Sequence, residues 1–275
     1  VVRDKTHTNT AGSEFVWIPV ENVKTKNKGT INIELKRYVF NSDGTVNTDL
    51  TKRNPGDQLH ASSSDSDYYT EGLENSSTAN THAKNIETFK SKAESSHGYY
   101  IGRYESRTNM PRTSKTPDDK LTQITTKPDD HVYNYVRQSQ AAKLSREMYS
   151  ETPFESDLVN SYAWDTATLF LQTIDNRTTD KTKKYSRQNS LNTGTLAKQG
   201  TNNLTEASNQ DKICNVYDMA SNCYEWSTET CSGSGGPCTL RGGSYGFSYD
   251  CTSSRYDHNT NDSYDNFSFR PLLYL

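Results

Sequence analysis

An α+β fold with long loop insertions follows from three features of the 275-residue chain. Strand-like runs stand near both ends. Helix-like runs stand in the middle. The two kinds never alternate regularly, which argues against a doubly wound parallel sheet. Hydrophobic residues make up only 31%, so the core is modest and carries many polar loops, with 18 Tyr and 3 Trp adding burial that aliphatics do not supply. Charged residues make up 24% with a net charge of -3. That balance offers no basic patch, so no nucleic acid partner is expected. No apolar run reaches membrane-spanning length, so no membrane insertion is expected. The chain opens at Val1 with neither a Met nor a charged-then-apolar leader, as a fragment or a processed product would.

Glu14 to Asn22 (EFVWIPVEN) is a β-branched and aromatic run broken by Pro, and predicts a strand. Ile31 to Phe40 alternates and predicts a second, followed by the turn signal NSDGT. Thr51 to Asn80 is polar and predicts a loop or a mobile insertion. Ile86, Phe89 and Ala93 stand at helical spacing, with Gly98 as the stop, and Tyr99 to Glu105 predicts a strand. Met110 to Asp130 predicts a loop. Val136, Leu144 and Met148 give the next helix one apolar face. The run from Ser156 to Asp175 predicts a helix capped by Ser156 or Asp157, with Leu158, Tyr162, Leu169 and Ile174 turned inward. Arg177 to Gln210 is polar loop, and short strands follow from Asn215. No internal repeat is visible.

All five cysteines lie between Cys214 and Cys251. Cys231 and Cys238 flank SGSGGP, a loop that a small disulfide could close; free thiols in a reducing compartment are the alternative. No Cys-x-x-Cys or His pair suggests zinc. There is no Gly-x-Ser-x-Gly elbow, phosphate loop or His-Glu-x-x-His either.

Three motifs then follow in fixed order: NVYDMASNCYEW, LRGGSY and SFRPL. They resemble the formylglycine-generating enzyme family, a branch of the C-type lectin fold. The carriers are Asn215, Tyr217, Asp218, Met219, Asn222, Glu225 and Trp226, then Arg241 to Ser244, then Phe269 and Arg270. The resemblance implies one C-type lectin-like domain over 1–275, with insertions near 22–85 and 177–211. It also implies a possible structural calcium at Asn222 and Glu225; no other cofactor is expected. The family's oxidases hold copper with two cysteines just after the Gly-Gly-Ser. Here Phe247 stands at that place and only Cys251 is near, while Cu(I) needs two thiolates. Ser221 replaces the motif's Gly. The expectation is therefore no catalysis, with a copper-dependent formylglycine-generating oxidase and a plain structural domain of a surface protein as the alternatives.

The segment 245–267 resembles the variable region of proteins diversified by retroelements, which mutate adenines in Asn codons. Such codons never become Lys, Glu, Gln, Met or Trp. The last of these five types is Glu229. The resemblance implies a variable ligand-binding surface made of Tyr245, Phe247, Tyr249, Asp250, Tyr256, Asp257 and His258, continued by Asn259, Asp262, Tyr264, Asp265, Asn266 and Phe267. A polar loop of ordinary origin has a similar composition, and each aromatic could instead be partly buried. Tyr combines large rigid area with a hydroxyl, and Ser, Asn and Asp add adaptable hydrogen bonds, as in antibody paratopes. A protein or glycan ligand on another cell or virus surface is the expected partner, with the chain on a phage virion or a bacterial surface. Phe269, Leu272, Leu273 and Tyr274 are expected to form the final core strand.

Overall fold

The computed structural model describes residues 1–25, 28–47, 69–71, 83–128, 130–150, 153–174, 184–187, 211–231, 236–247 and 250–275. The architecture is α+β: three helices and two main sheets. The first sheet has five strands in the order Val2–Arg3, Glu14–Pro19, Gly98–Gly102, Pro271–Tyr274, Glu155–Leu158, each antiparallel to its neighbour. Apart from the exposed edge strand Val2–Arg3, its strands are largely buried on both faces. Val16, Ile18, Tyr99, Ile101, Leu272 and Tyr274 face helices α1 (Ile86–Ser95) and α3 (Ser161–Ile174). Phe15 and Leu273 face helix α2 (Gln138–Glu147) and the second sheet.

That second sheet carries the site. Its order is Arg255–His258, Cys238–Arg241, Tyr224–Cys231, Phe267–Phe269, and Tyr69–Glu71 also pairs with Tyr224–Cys231. The pairing of Tyr224–Cys231 with Phe267–Phe269 is parallel; its other pairings are antiparallel. Short hairpins join Asn22–Thr25 to Gly29–Asn32 and Val39–Phe40 to Val46–Asn47.

Several expectations change. Ile31 to Phe40 is not one strand. Ile33 and Leu35 are buried at alternate positions, but the backbone turns to α3 for partners: Lys36 N–H donates to Thr166 Oγ1 (3.2 Å) and Tyr38 N–H to Asp165 Oδ2 (3.0 Å). Alternation registers burial, and here a helix buries what a sheet would. Helix α1 is capped by Asn85, whose Oδ1 accepts from Thr88 N–H, and the left-handed residue after it is His97 (φ 61). Gly98 starts the next strand, where a Cβ would stand 2.4 Å from the Trp17 ring. Ser156 and Asp157 cap no helix; they lie in a strand. Asn160 caps α3, accepting from Ala163 N–H at 2.9 Å. The helix starts later than expected, so its buried face is Ala163, Trp164, Ala167 and Leu171, while Tyr162, Leu169 and Ile174 are only partly covered. The last strand divides in two: Phe267–Phe269 belongs to one sheet and Pro271–Tyr274 to the other, with Arg270 between them. All five cysteines are present as thiols, and Thr230 rather than Cys231 stands opposite Cys238. The loop expectations for Thr51 to Asn80 and Arg177 to Gln210 fall mostly outside the described residues. Among the described residues no helix is long and apolar enough to cross a membrane.

Candidate ligand-binding site

Two buried ionic networks hold the segment in place. In the first, Arg241 and Arg255 bracket Asp165, donating to Oδ1 and Oδ2 at 2.5 Å each. Both also reach Glu229, at 3.3 and 2.9 Å, and Arg37 joins them there. Burial alone would raise the Glu229 carboxyl, but Arg255, Arg37 and Arg241 overcome it and hold it at about 2. The motif's two glycines follow at once. Gly242 has φ +81, and a Cβ on it would stand 2.4 Å from Met219 O; one on Gly243 would stand 2.4 Å from Ala220 O. Only glycine lets the chain cross the first motif so closely.

In the second network Arg270 donates to both oxygens of Glu225 (2.6 and 3.0 Å) and to the carbonyls of Gly102 and Tyr217. Beside it, Glu105 accepts from Cys223 N–H at 3.0 Å and from the Asn222 amide. Burial, then the Glu225 and Asp218 charges, push the Glu105 carboxyl well above its ordinary range. Asn215, Asp218 and Asn222 all have left-handed backbones (φ 70, 61 and 59), a conformation that Asn and Asp tolerate best after Gly. The motif's conspicuous Asn and Asp residues therefore shape the backbone. Of the two residues weighed for calcium, Asn222 keeps a buried Oδ1 without a hydrogen-bond partner among the described residues. A guanidinium occupies the Glu225 oxygens, and Asn222 turns its amide toward Glu105. Among the described residues no group of three or more His, Cys, Asp or Glu is arranged to hold a metal. The two cysteines weighed for copper face different surroundings: Cys223 Sγ is 3.9 Å from Asp265 O, and Cys251 Sγ is 3.3 Å from Ser254 Oγ.

Against this frame the second sheet and the chain after it form an open concavity of about 470 Å³. Strand alternation supplies its first wall. Arg255 points into the ionic network, so Tyr256 and His258 point the other way, into the concavity. Asp257 shares the side of Arg255 and does not line it. Phe247, Asp250 and Tyr264 through Phe267 complete the lining from the segment. Phe267 is buried, its ring 5.3 Å from Trp226, 4.7 Å from His258 and 4.9 Å from Tyr264. It makes the floor, as Asp250 does. The Asp250 carboxylate accepts the hydroxyls of both Tyr224 and Tyr256, and burial raises its pKa. Phe247 and Tyr264 are exposed at the mouth, at 41% and 48%.

The concavity thus gathers eight of the thirteen residues expected from sequence. Tyr245, Asn259 and Asp262 support it from outside: Tyr245 O–H donates to Asp265 Oδ2 (2.7 Å), and Asp262 Oδ2 receives Asn259 N–H (3.0 Å) and lies 3.1 Å from His258 Nδ1. Tyr249 lies outside the described residues. Tyr224 was not anticipated, although it lines the site. The signal was the alternation of Tyr224, Glu225 and Trp226, which sends Tyr224 and Trp226 to the side opposite the Glu225–Arg270 pair. Further support comes from Asn134, donating to Asp265 O at 2.8 Å, and Tyr135, whose N–H reaches Tyr264 O at 3.0 Å.

Fold and site define an α+β protein whose C-terminal segment displays an aromatic and acidic concavity on an ion-paired frame. No family model matches the sequence, and no curated protein does. Solved structures similar to it include three of low identity. The crystal structure of CarF is 15% identical, with a TM-score of 0.42 over 65% of this chain and 87% of that one. The structure of PvdO from Pseudomonas aeruginosa is 13% identical, with a TM-score of 0.38 over 65% of this chain and 81% of that one. Treponema denticola variable protein 1 is 16% identical, with a TM-score of 0.37 over 65% of this chain and 85% of that one.

Proposed function

We propose that the protein is a non-catalytic ligand-binding module with a C-type lectin fold of the formylglycine-generating type. Its segment 245–267 is diversified by a retroelement, and it recognises a protein or glycan from a phage or bacterial surface. One observation carries the reading. Eight residues of a segment free of Lys, Glu, Gln, Met and Trp converge on one concavity, while the interspersed Arg255 belongs to the buried frame. Side chains can change at the concavity without disturbing the ion pairs. The test is the coding locus. A near-copy of the tail's coding sequence is expected beside a reverse transcriptase gene, with adenines in the codons of positions such as 247, 256, 258 and 264. A locus with neither sinks the retroelement reading. Titration with Cu(I) tests the absence of oxidase chemistry, and tight stoichiometric binding through Cys251 and a second thiol would contradict it.

A further inference from the structure

We infer that the concavity seats a cationic side chain, a guanidinium or an ammonium group, presented by a protein partner. This deepens the ligand-binding reading and rests on it. The lining includes two carboxylates, Asp250 and Asp265, and neither Lys nor Arg. The segment's own nearby cation, Arg255, is committed to Asp165 and Glu229 behind the sheet. The site therefore presents negative charge within aromatic walls. At the mouth, Tyr264 and Phe247 expose ring surface, and a ring face attracts a cation, more strongly as water is excluded. Tyr264 already has a cation near its ring, with Lys115 Nζ 5.9 Å from the centroid.

The carboxylates are positioned in advance. Tyr245 O–H fixes the Asp265 side chain and Asn134 holds its backbone carbonyl. Asp250 sits beneath, held by two tyrosine hydroxyls. A charge on such a floor is weakly screened by water and acts more strongly than one on an open surface. An anionic ligand meets like charge here. A neutral sugar gains ring contact and hydroxyl hydrogen bonds to the carboxylates but no ion pair. A planar guanidinium gains ring contact and an ion pair, since it stacks on a ring and pairs with a carboxylate through the same group.

The whole chain is titrated with N-acetyl-arginine amide, N-acetyl-citrulline amide and a methyl glycoside, while NMR signals of His258 and Tyr264 are followed. Citrulline keeps the shape of arginine and loses its charge. The arginine probe is expected to shift both signals and to bind ~10-fold more tightly than citrulline. Its affinity should fall as ionic strength rises from about 0.01 to about 0.15 M. Asp265→Asn keeps an acceptor for Tyr245 and should reduce arginine binding to the citrulline level, with thermal unfolding reporting that the variant is folded. Should it fail to fold, the arginine–citrulline comparison on the unaltered chain decides alone. Equal binding of the two probes, preference for the glycoside, or no shift with any probe overturns the proposal. The coding locus judges the ligand-binding reading separately: a template copy without arginine preference leaves a binding module for another ligand class.

Discussion

Arg255 and Tyr256 are neighbours, yet they belong to different parts of the molecule. Arg255 is locked between Asp165 and Glu229 in the buried interior. Tyr256 turns its ring toward the concavity. The same division separates Arg241, Arg255 and Arg270 from Phe247 and Tyr264 along one stretch of chain. In the first group each side chain is specified by charge and geometry together. In the second, shape and polarity matter only to whatever comes from outside. A pleated strand makes this possible, because alternate residues face different environments at no cost in chain length. Frame and display can interleave instead of occupying separate domains.

The frame is where the largest effects are expected. Arg270→Leu leaves Glu225 buried without its partner and should cost about 3–5 kcal/mol in urea unfolding; a loss below ~1 kcal/mol would mean that the frame is not what holds the segment. Acid should weaken the first network. Glu229 is held at about 2, below its ordinary 4.5, so the unfolded chain binds its proton first. The resulting stabilisation, about 3 kcal/mol, is fully present above pH ~4.5 and is lost as pH falls toward ~2. Urea midpoints across that window measure it, and Glu229→Gln should flatten the curve there. Glu105 acts in the opposite sense. Its raised pKa means that ionisation opposes folding as pH climbs. Glu105→Gln, which still accepts from Cys223 N–H, should raise the melting temperature relative to the parent, increasingly as pH climbs above the ordinary carboxylate range. The display is where stability should barely change. Phe247→Ala and Tyr264→Ala should each stay within ~0.5 kcal/mol of the parent in urea, yet weaken ligand binding in the titration above. A display variant that unfolds the protein would erase the distinction.

Much of this was legible from sequence, for physical reasons that also mark its limits. The strand Glu14–Pro19 and helices α1 and α2 rest on local signals: apolar periodicity and Pro. Ile33 and Leu35 misled because alternation reports burial and not the partner that provides it. The start of α3 was missed because Ser156 and Asp157 also look like caps, while the side chain that accepts the helix N–H belongs to Asn160. At the site, codon reasoning nominated a segment but not a face. It included Asp257, which the pleat turns away, and omitted Tyr224, which lies in a motif outside the segment. The ion pairs joining Arg37, Asp165, Glu229, Arg241 and Arg255 link residues far apart in the chain, and no local pattern announces them.

The turn Asn259–Asp262 closes on itself, with Asp262 N–H donating to Asn259 O at 3.1 Å. It lies between His258, in the edge strand opposite Cys238, and Phe267, beside Tyr224. Those two strands bound the four-strand order on opposite sides, and the curvature of the sheet still brings the His258 and Phe267 rings to 4.7 Å. The ends of the connection are fixed by pairing, and its tip at Asn259, Thr260 and Asn261 is exposed. Closing such a loop costs only about 0.6 kcal/mol more when its length doubles. The segment is therefore open to a second kind of variation, in length: residues inserted at the tip would deepen or roof the concavity while every frame contact keeps its register.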